Sequence, residues 1–429
     1  MLQGISAPIP GFRRAAVLIS LAAALSLVLV LSAAGASPAN YLQTDKLTAS
    51  DGAVGDQFGR WVATDGDAIV VSTHVRGGGV GGVYVYTRNG GAWTQSAILE
   101  APDAEAGNWF GYGLDISGDT IVVGAHRDDD ACSDCGAVHV FEMVEGVFSR
   151  TAKLTASTAY WMGRWVAVDG DTIVAGGVLS SYGDKDYAGD AYVFERIGGE
   201  WTQTARLTAS DGASQDTFGQ SVAVDGTRIV VGADWHDGLA EDAGAAYVYE
   251  KVGGVWTETA KLEASDGAAF DGFGSTVDID GDTIIAATYG DPETGVDGGE
   301  VYVFEYDGVS WAESAQLIPS DGAAGDTARM ASISGDWIAV GGPYHDAAAN
   351  NAGAVWLYER SDGEWTEVGK LLASDAAEGD RFSQAAISGD VIVVGAAGAD
   401  APGEDSGAAY VFEREVSGAL IVWMPLVTS

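Results

Sequence analysis

One stretch, copied seven times, decides what this chain can fold into. Phe218 to Ala233, FGQSVAVDGTRIVVGA, holds two apolar runs, Ser221 to Val224 and Arg228 to Val231, split by Asp225-Gly226. An Asp-Gly pair between two such runs predicts a tight β-hairpin, the pair supplying the positive φ values of its turn. Further on, Ala245 to Glu250 (AAYVYE) reads as a third strand, Gly253-Gly254 as a second turn and Trp256 to Leu262 (WTETAKL) as a fourth strand. The unbroken Ile229-Val230-Val231 asks for cover on both faces, whereas the alternation from Thr257 to Lys261 suits an exposed edge. One unit is therefore a four-stranded antiparallel meander.

Its anchors recur at Phe58-Gly59, Phe110-Gly111, Met162-Gly163, Phe218-Gly219, Phe273-Gly274, Ala328-Arg329 and Phe382-Ser383, spaced 52 to 56 residues apart. Each is followed by its own Asp-Gly or Ser-Gly turn. Seven such units in radial array predict an all-β fold: a seven-bladed β-propeller of four-stranded antiparallel blades, whose edges are short and protected. The seventh unit has three clear strands, while Tyr41 to Leu47 (YLQTDKL) aligns with a fourth strand, Trp201 to Leu207 (WTQTARL), and has no blade of its own. The N-terminal strand is thus expected to close the ring, with Ala419 to Trp423 as the competing outer strand.

The strings FGQSVAVDGTRIVVGA and FGYGLDISGDTIVVGA (from Phe110) resemble the FG-GAP repeat, the unit of the seven-bladed propeller at the head of integrin α-chains and of many bacterial secreted proteins. The resemblance spans roughly residues 41 to 415. It implies an extracellular binding propeller that often carries calcium, and no reaction. In one respect the chain departs from the family. Integrin-like propellers hold calcium in an acidic loop between the first and second strands, and here that joint has shrunk to turns such as Asp65-Gly66-Asp67, too short to wrap a cation that wants six to eight oxygen ligands.

Residues 1–36 read as a secretory signal peptide, with Arg13-Arg14, the apolar run Ala15 to Val30 and small residues at Ala34 and Ala36. The propeller is assigned to 41–415 and a short apolar tail to 416–429, too short to span a membrane. Export would place the protein outside the cell, on its surface or in the periplasm, and a monomer is expected. With 62 acidic against 21 basic residues and a net charge of −41, the surface repels nucleic acid and anionic lipid.

Strand order puts the long second-to-third and blade-to-blade connections on one face, opposite the short turns. These connections carry the acids. Within them SDGAxxD joins successive blades, and the carboxylate pairs are Asp51 and Asp56, Asp211 and Asp216, Asp266 and Asp271, Asp321 and Asp326, and Asp375 and Asp380. Two readings stand side by side: aspartate capping its own turn, or a sparse calcium site. Cys132 and Cys135, the only cysteines, are expected to form a local disulfide bracing an acidic loop. The once-per-blade Trp93, Trp201, Trp256, Trp311 and Trp365 read as blade-to-blade packing, and His74, His126, His236 and His345 as loop histidines. No nucleophile elbow, zinc-protease motif or phosphate loop is present, so no catalytic residue is assigned. The expected function is recognition of an extracellular protein or glycan through the acidic long-loop face, with calcium as a potential aid. The alternatives are a polysaccharide hydrolase or lyase using the central depression, and a structural envelope protein.

Overall fold

The hairpin expected at Asp225-Gly226 forms, with its turn moved by one residue. In the computed structural model, which describes residues 41–289, 298–401 and 403–414, Asp225 pairs with Arg228, so the two turn residues are Gly226 and Thr227. Only Gly226 carries a positive φ, +56°. Asp225 belongs to the strand, and its side chain has a different task, described below. The second turn is as expected: Val252 pairs with Val255, and Gly253 and Gly254 have φ of +59° and +87°.

With these turns the fourth blade runs Ser221–Asp225, Arg228–Ala233, Ala245–Val252 and Val255–Leu262, in chain order across the sheet. Six sheets are built this way. In the seventh, Phe382–Ser388, Val391–Ala396 and Ala408–Arg414 are completed by Tyr41–Leu47, which pairs antiparallel with the third strand. The ring is a seven-bladed β-propeller closed by its N-terminal strand, and all of it falls within one unit, Ser37–Ser429. The signal-peptide assignment and the apolar tail with its competing strand lie outside the described residues.

Each second strand is sandwiched: Ile229, Val230 and Val231 have no solvent exposure. The anchor phenylalanines wedge between blades, Phe218 packing with Val174 and Val193 of blade 3 and with Val231 and Tyr247 of blade 4. The paired glycines of the repeat touch across the same boundary. A Cβ on Gly124 would stand 1.7 Å from the carbonyl oxygen of Gly163, and one on Gly232 would stand 2.0 Å from that of Gly274. Glycine is required there because backbone meets backbone.

A second seam runs around the short-turn face. Asp225 Oδ2 accepts the amide of Gly281 in the next blade at 2.6 Å, Asp169 that of Gly226 at 2.7 Å, and Asp280 that of Gly335 at 2.6 Å. Ser117, Ser334 and Ser388 do the same with their hydroxyls, Ser388 reaching Gly66 of blade 1 and so crossing the point of closure. The aspartate or serine before each turn glycine therefore joins neighbouring blades. Near the rim, cations lie over the recurrent tryptophans and reach the previous blade: Arg196 sits 4.5 Å from the Trp201 ring and pairs with Glu142, and Lys251 sits 5.7 Å from Trp256 and pairs with Glu195.

Candidate functional site

The acidic pairs sit in the blade-to-blade linkers. The two carboxylates of each SDGAxxD take different partners. Asp211 accepts the Tyr247 hydroxyl at 2.7 Å and Lys261 Nζ at 3.0 Å; Asp216 accepts the Ala213 amide at 2.7 Å and faces His236 Nδ1 at 2.8 Å. Burial pushes the Asp211 carboxyl up, and the hydrogen bonds from Tyr247 and Lys261 outweigh it, leaving it below the usual range. The pattern repeats. Asp51, Asp266 and Asp375 accept tyrosine hydroxyls from Tyr84, Tyr302 and Tyr410, and Asp321 accepts the Trp356 indole N–H. Asp56, Asp271, Asp326 and Asp380 each accept the amide three residues earlier. The linker aspartates thus cap their own turns and fasten them to the blade. Among the described residues no group of three or more His, Cys, Asp or Glu side chains is arranged to hold a metal ion.

The histidines are buried rather than loose in loops. His236 bridges Asp216 and Lys261 Nζ, the latter 2.8 Å from its Nε2, and His345 bridges Asp326 and Lys370 in the same way. His74 and His126 lie near the axis among aromatic rings. Burial, with the charges of nearby arginines adding to it, lowers His74 to about 4 and His126 to about 3, so both are neutral at pH 7. A disulfide joins Cys132 and Cys135 in the acidic loop of blade 2.

First strands line the axial channel, a cavity of about 240 Å³. Trp61 of blade 1 and Trp165 of blade 3 meet edge to face across its long-loop end, 4.7 Å between ring centroids. Within it stand Asp115 and Asp278, at equivalent places in blades 2 and 5. Asp115 accepts the amides of Ile116 and Val168 at 2.8 Å, and Asp278 those of Ile279 and Ile333 at 2.9 Å. Burial raises both carboxyls, Asp115 to about 7 and Asp278 to about 6, against the opposing pull of these amides.

The centre of the long-loop face is where the expectation of an acidic surface fails. The residue before each anchor has a left-handed backbone, at φ +57° for Trp109, +61° for Trp161 and +56° for Arg381, which brings bulky side chains to the mouth. Arg127 lies between Trp109 and Trp161, 4.8 and 5.1 Å from their ring centroids, and Arg164 stands over Tyr112 at 5.7 Å. Arg329 is 4.2 Å from the Tyr289 ring. The local signal was present in sequence as basic and aromatic residues flanking the anchors, but nothing in the chain order says they meet. Exposed aromatic residues stand on the same face, Tyr187, Trp235 and Tyr344 on second-to-third connections and Phe270 on a linker.

The FG-GAP repeat matches at residues 41–86, 93–141, 201–249, 256–304, 311–358 and 365–412, well over half of the chain. This chain belongs to the FG-GAP repeat family. Its matched segments begin in a fourth strand and end in the third strand of the following blade, and the FG-GAP propeller also forms a regular blade from Met162 to Leu207, centred between two matched segments. A search of curated proteins found no match. Among solved structures the FG-GAP chain is similar to a candidate 6-phosphogluconolactonase from Bacteroides uniformis, at 14% identity and a TM-score of 0.56, covering 82% of this chain and 93% of that one. A second, from Bacteroides fragilis, gives 14% identity and a TM-score of 0.52, covering 80% and 89%. At such identity the likeness concerns the fold alone. The FG-GAP propeller is thus a scaffold of the ligand-binding or structural kind, and no helix among its described residues is long and apolar enough to cross a membrane.

Proposed function

We propose that this protein is an exported recognition propeller that takes a glycan or protein ligand on its long-loop face. One observation carries the reading. Trp235, Phe270 and Tyr344, at 52%, 55% and 43% exposure, all stand on long connections of that face. Exposed aromatic rings on loops held by a rigid scaffold suit recognition, since they supply contact area with little loss of conformational freedom. Catalysis is the weaker alternative. Asp115 and Asp278 have the raised pKa expected of proton-transfer groups, but each is tied by two backbone amides and lies beyond the Trp61–Trp165 contact.

The test is a glycan-array and cell-surface binding screen with the intact protein, followed by the double variant Trp235→Ala/Phe270→Ala. Loss of the captured ligand by about tenfold or more, with unchanged melting, supports the long-loop face as the binding surface. Undiminished binding by the variant, or no ligand for the wild type in any arm of the screen, overturns it.

A further inference from the structure

We propose that the axial mouth of the long-loop face is an oxyanion site that takes the carboxylate or sulfate groups of an acidic saccharide chain. This deepens the proposed function and rests on it.

In a chain of net charge −41, arginine should find a carboxylate, and away from the axis it does. Arg76, Arg88, Arg150, Arg196, Arg206, Arg228, Arg360 and Arg414 each make an ion pair. Arg60, Arg127, Arg164, Arg329 and Arg381 make none among the described residues; the first four come from blades 1, 2, 3 and 6 to one place, and Arg381 of blade 7 stands over Tyr344 at 5.9 Å. The charge of Arg60 is felt at Arg329 and at His74, and those of Arg127 and Arg164 at His126. Four cations near one axis repel each other, so their assembly costs free energy unless an anion joins them.

Aromatic rings hold these cations in place. Arg127 is packed between two tryptophans, Arg60 stands over Trp61 at 5.8 Å, and Arg329 over Tyr289. A guanidinium on an aromatic face keeps its in-plane N–H donors for other partners, and those donors match the fork of a carboxylate or sulfate. Two donors are left over: the Nε groups of Arg127 and Arg329 are buried without a hydrogen-bond partner. The acid nearest the cluster does not fill the role. Asp234 is 2% exposed, already accepts Thr217 Oγ1 at 2.6 Å and the Tyr289 hydroxyl at 2.7 Å, and is pushed by burial towards its neutral form. The neighbouring histidines, neutral at pH 7, leave the arginines as the charge of the mouth. An acidic saccharide fits a rim that also offers exposed rings to sugar faces, and among the linker carboxylates it would pass, Asp211, Asp321 and Asp375 are already paired with lysine.

Calorimetric titration of the purified protein at low salt tests this with oligogalacturonate, its fully methyl-esterified form, free galacturonate and inorganic sulfate. The charged oligomer should bind about tenfold or more tighter than the neutral ester. Arg60→Gln/Arg164→Gln should lose about tenfold or more of that affinity with melting unchanged, whereas Arg360→Gln/Arg414→Gln, an equal loss of charge away from the axis, should stay within about twofold. Equal binding of the ester, or an equal loss in Arg360→Gln/Arg414→Gln, overturns the site. Free galacturonate or sulfate binding as tightly as the oligomer overturns the saccharide chain as the source of the anion. If no anion binds but a ligand sensitive to Trp235→Ala/Phe270→Ala is captured, the oxyanion site falls and the recognition role survives.

Discussion

Asp225 and Gly281 belong to different blades, and a carboxylate oxygen of the first accepts the amide of the second at 2.6 Å. The contact is repeated around the short-turn face with aspartate or serine as acceptor, so blade follows blade by a hydrogen bond as well as by apolar packing. Replacing Asp225 by alanine should cost about 0.5–1.5 kcal/mol in chemical denaturation, the usual net worth of such a bond. Asp225→Ser should recover most of it, because Ser117 serves Gly170 at 3.2 Å in the same position. A serine variant no better than alanine would show that the seam contributes nothing.

The closing strand pairs Tyr41–Leu47 with Ala408–Arg414, and Lys46 Nζ reaches Asp375 at 2.6 Å while the Tyr41 ring meets Trp337 at 5.3 Å. Deleting residues 41–47 would leave the third strand of blade 7 with an open edge and remove these contacts with it. The truncated ring should melt about 10 °C or more lower and become sensitive to protease throughout rather than at one end. Melting at the wild-type temperature would mean that closure does not depend on this strand.

Asp115 and Asp278 make stability depend on pH. Their carboxyls are raised by burial to about 7 and about 6, above the value of about 3.9 for an unfolded aspartate. A raised carboxyl favours the folded state when protonated. Its contribution is complete below about pH 3.9 and is lost as pH climbs through 6 and 7. The melting temperature should therefore fall between pH 5 and pH 8, a window in which the surface carboxylates are already ionised, and Asp115→Asn/Asp278→Asn should flatten the fall. A double variant with the wild-type slope would remove the channel pair as its cause.

The linker carboxylates already have protein donors, and this bears on calcium. Asp211 is held by Tyr247 and Lys261, and Asp216 by the Ala213 amide and His236. A cation would have to displace these partners for ligation that remains far short of six oxygens. At matched ionic strength, millimolar calcium and chelator should leave the melting temperature within about 1 °C of each other. A rise of several degrees with calcium and not with magnesium would show that the aspartates exchange their donors for metal.

Much of this was present in the residues taken in order. Alternation, Asp-Gly and Gly-Gly turns and a repeat of about 54 residues determine strands, blades and their number, because each is a local property expressed seven times over. Even the closing strand could be read, since a fourth-strand pattern stood before any first strand. Tertiary structure decided what lies opposite what. Asp225 has the look of a turn residue, yet it acts across a blade boundary, and its true partner is 56 residues away. Arg60, Arg127, Arg164 and Arg329 are scattered along the chain and sit in blades that do not all touch, so no periodicity announces them. Only closing the disc brings them to one axis, and so puts positive charge at the centre of a face whose sequence is overwhelmingly acidic.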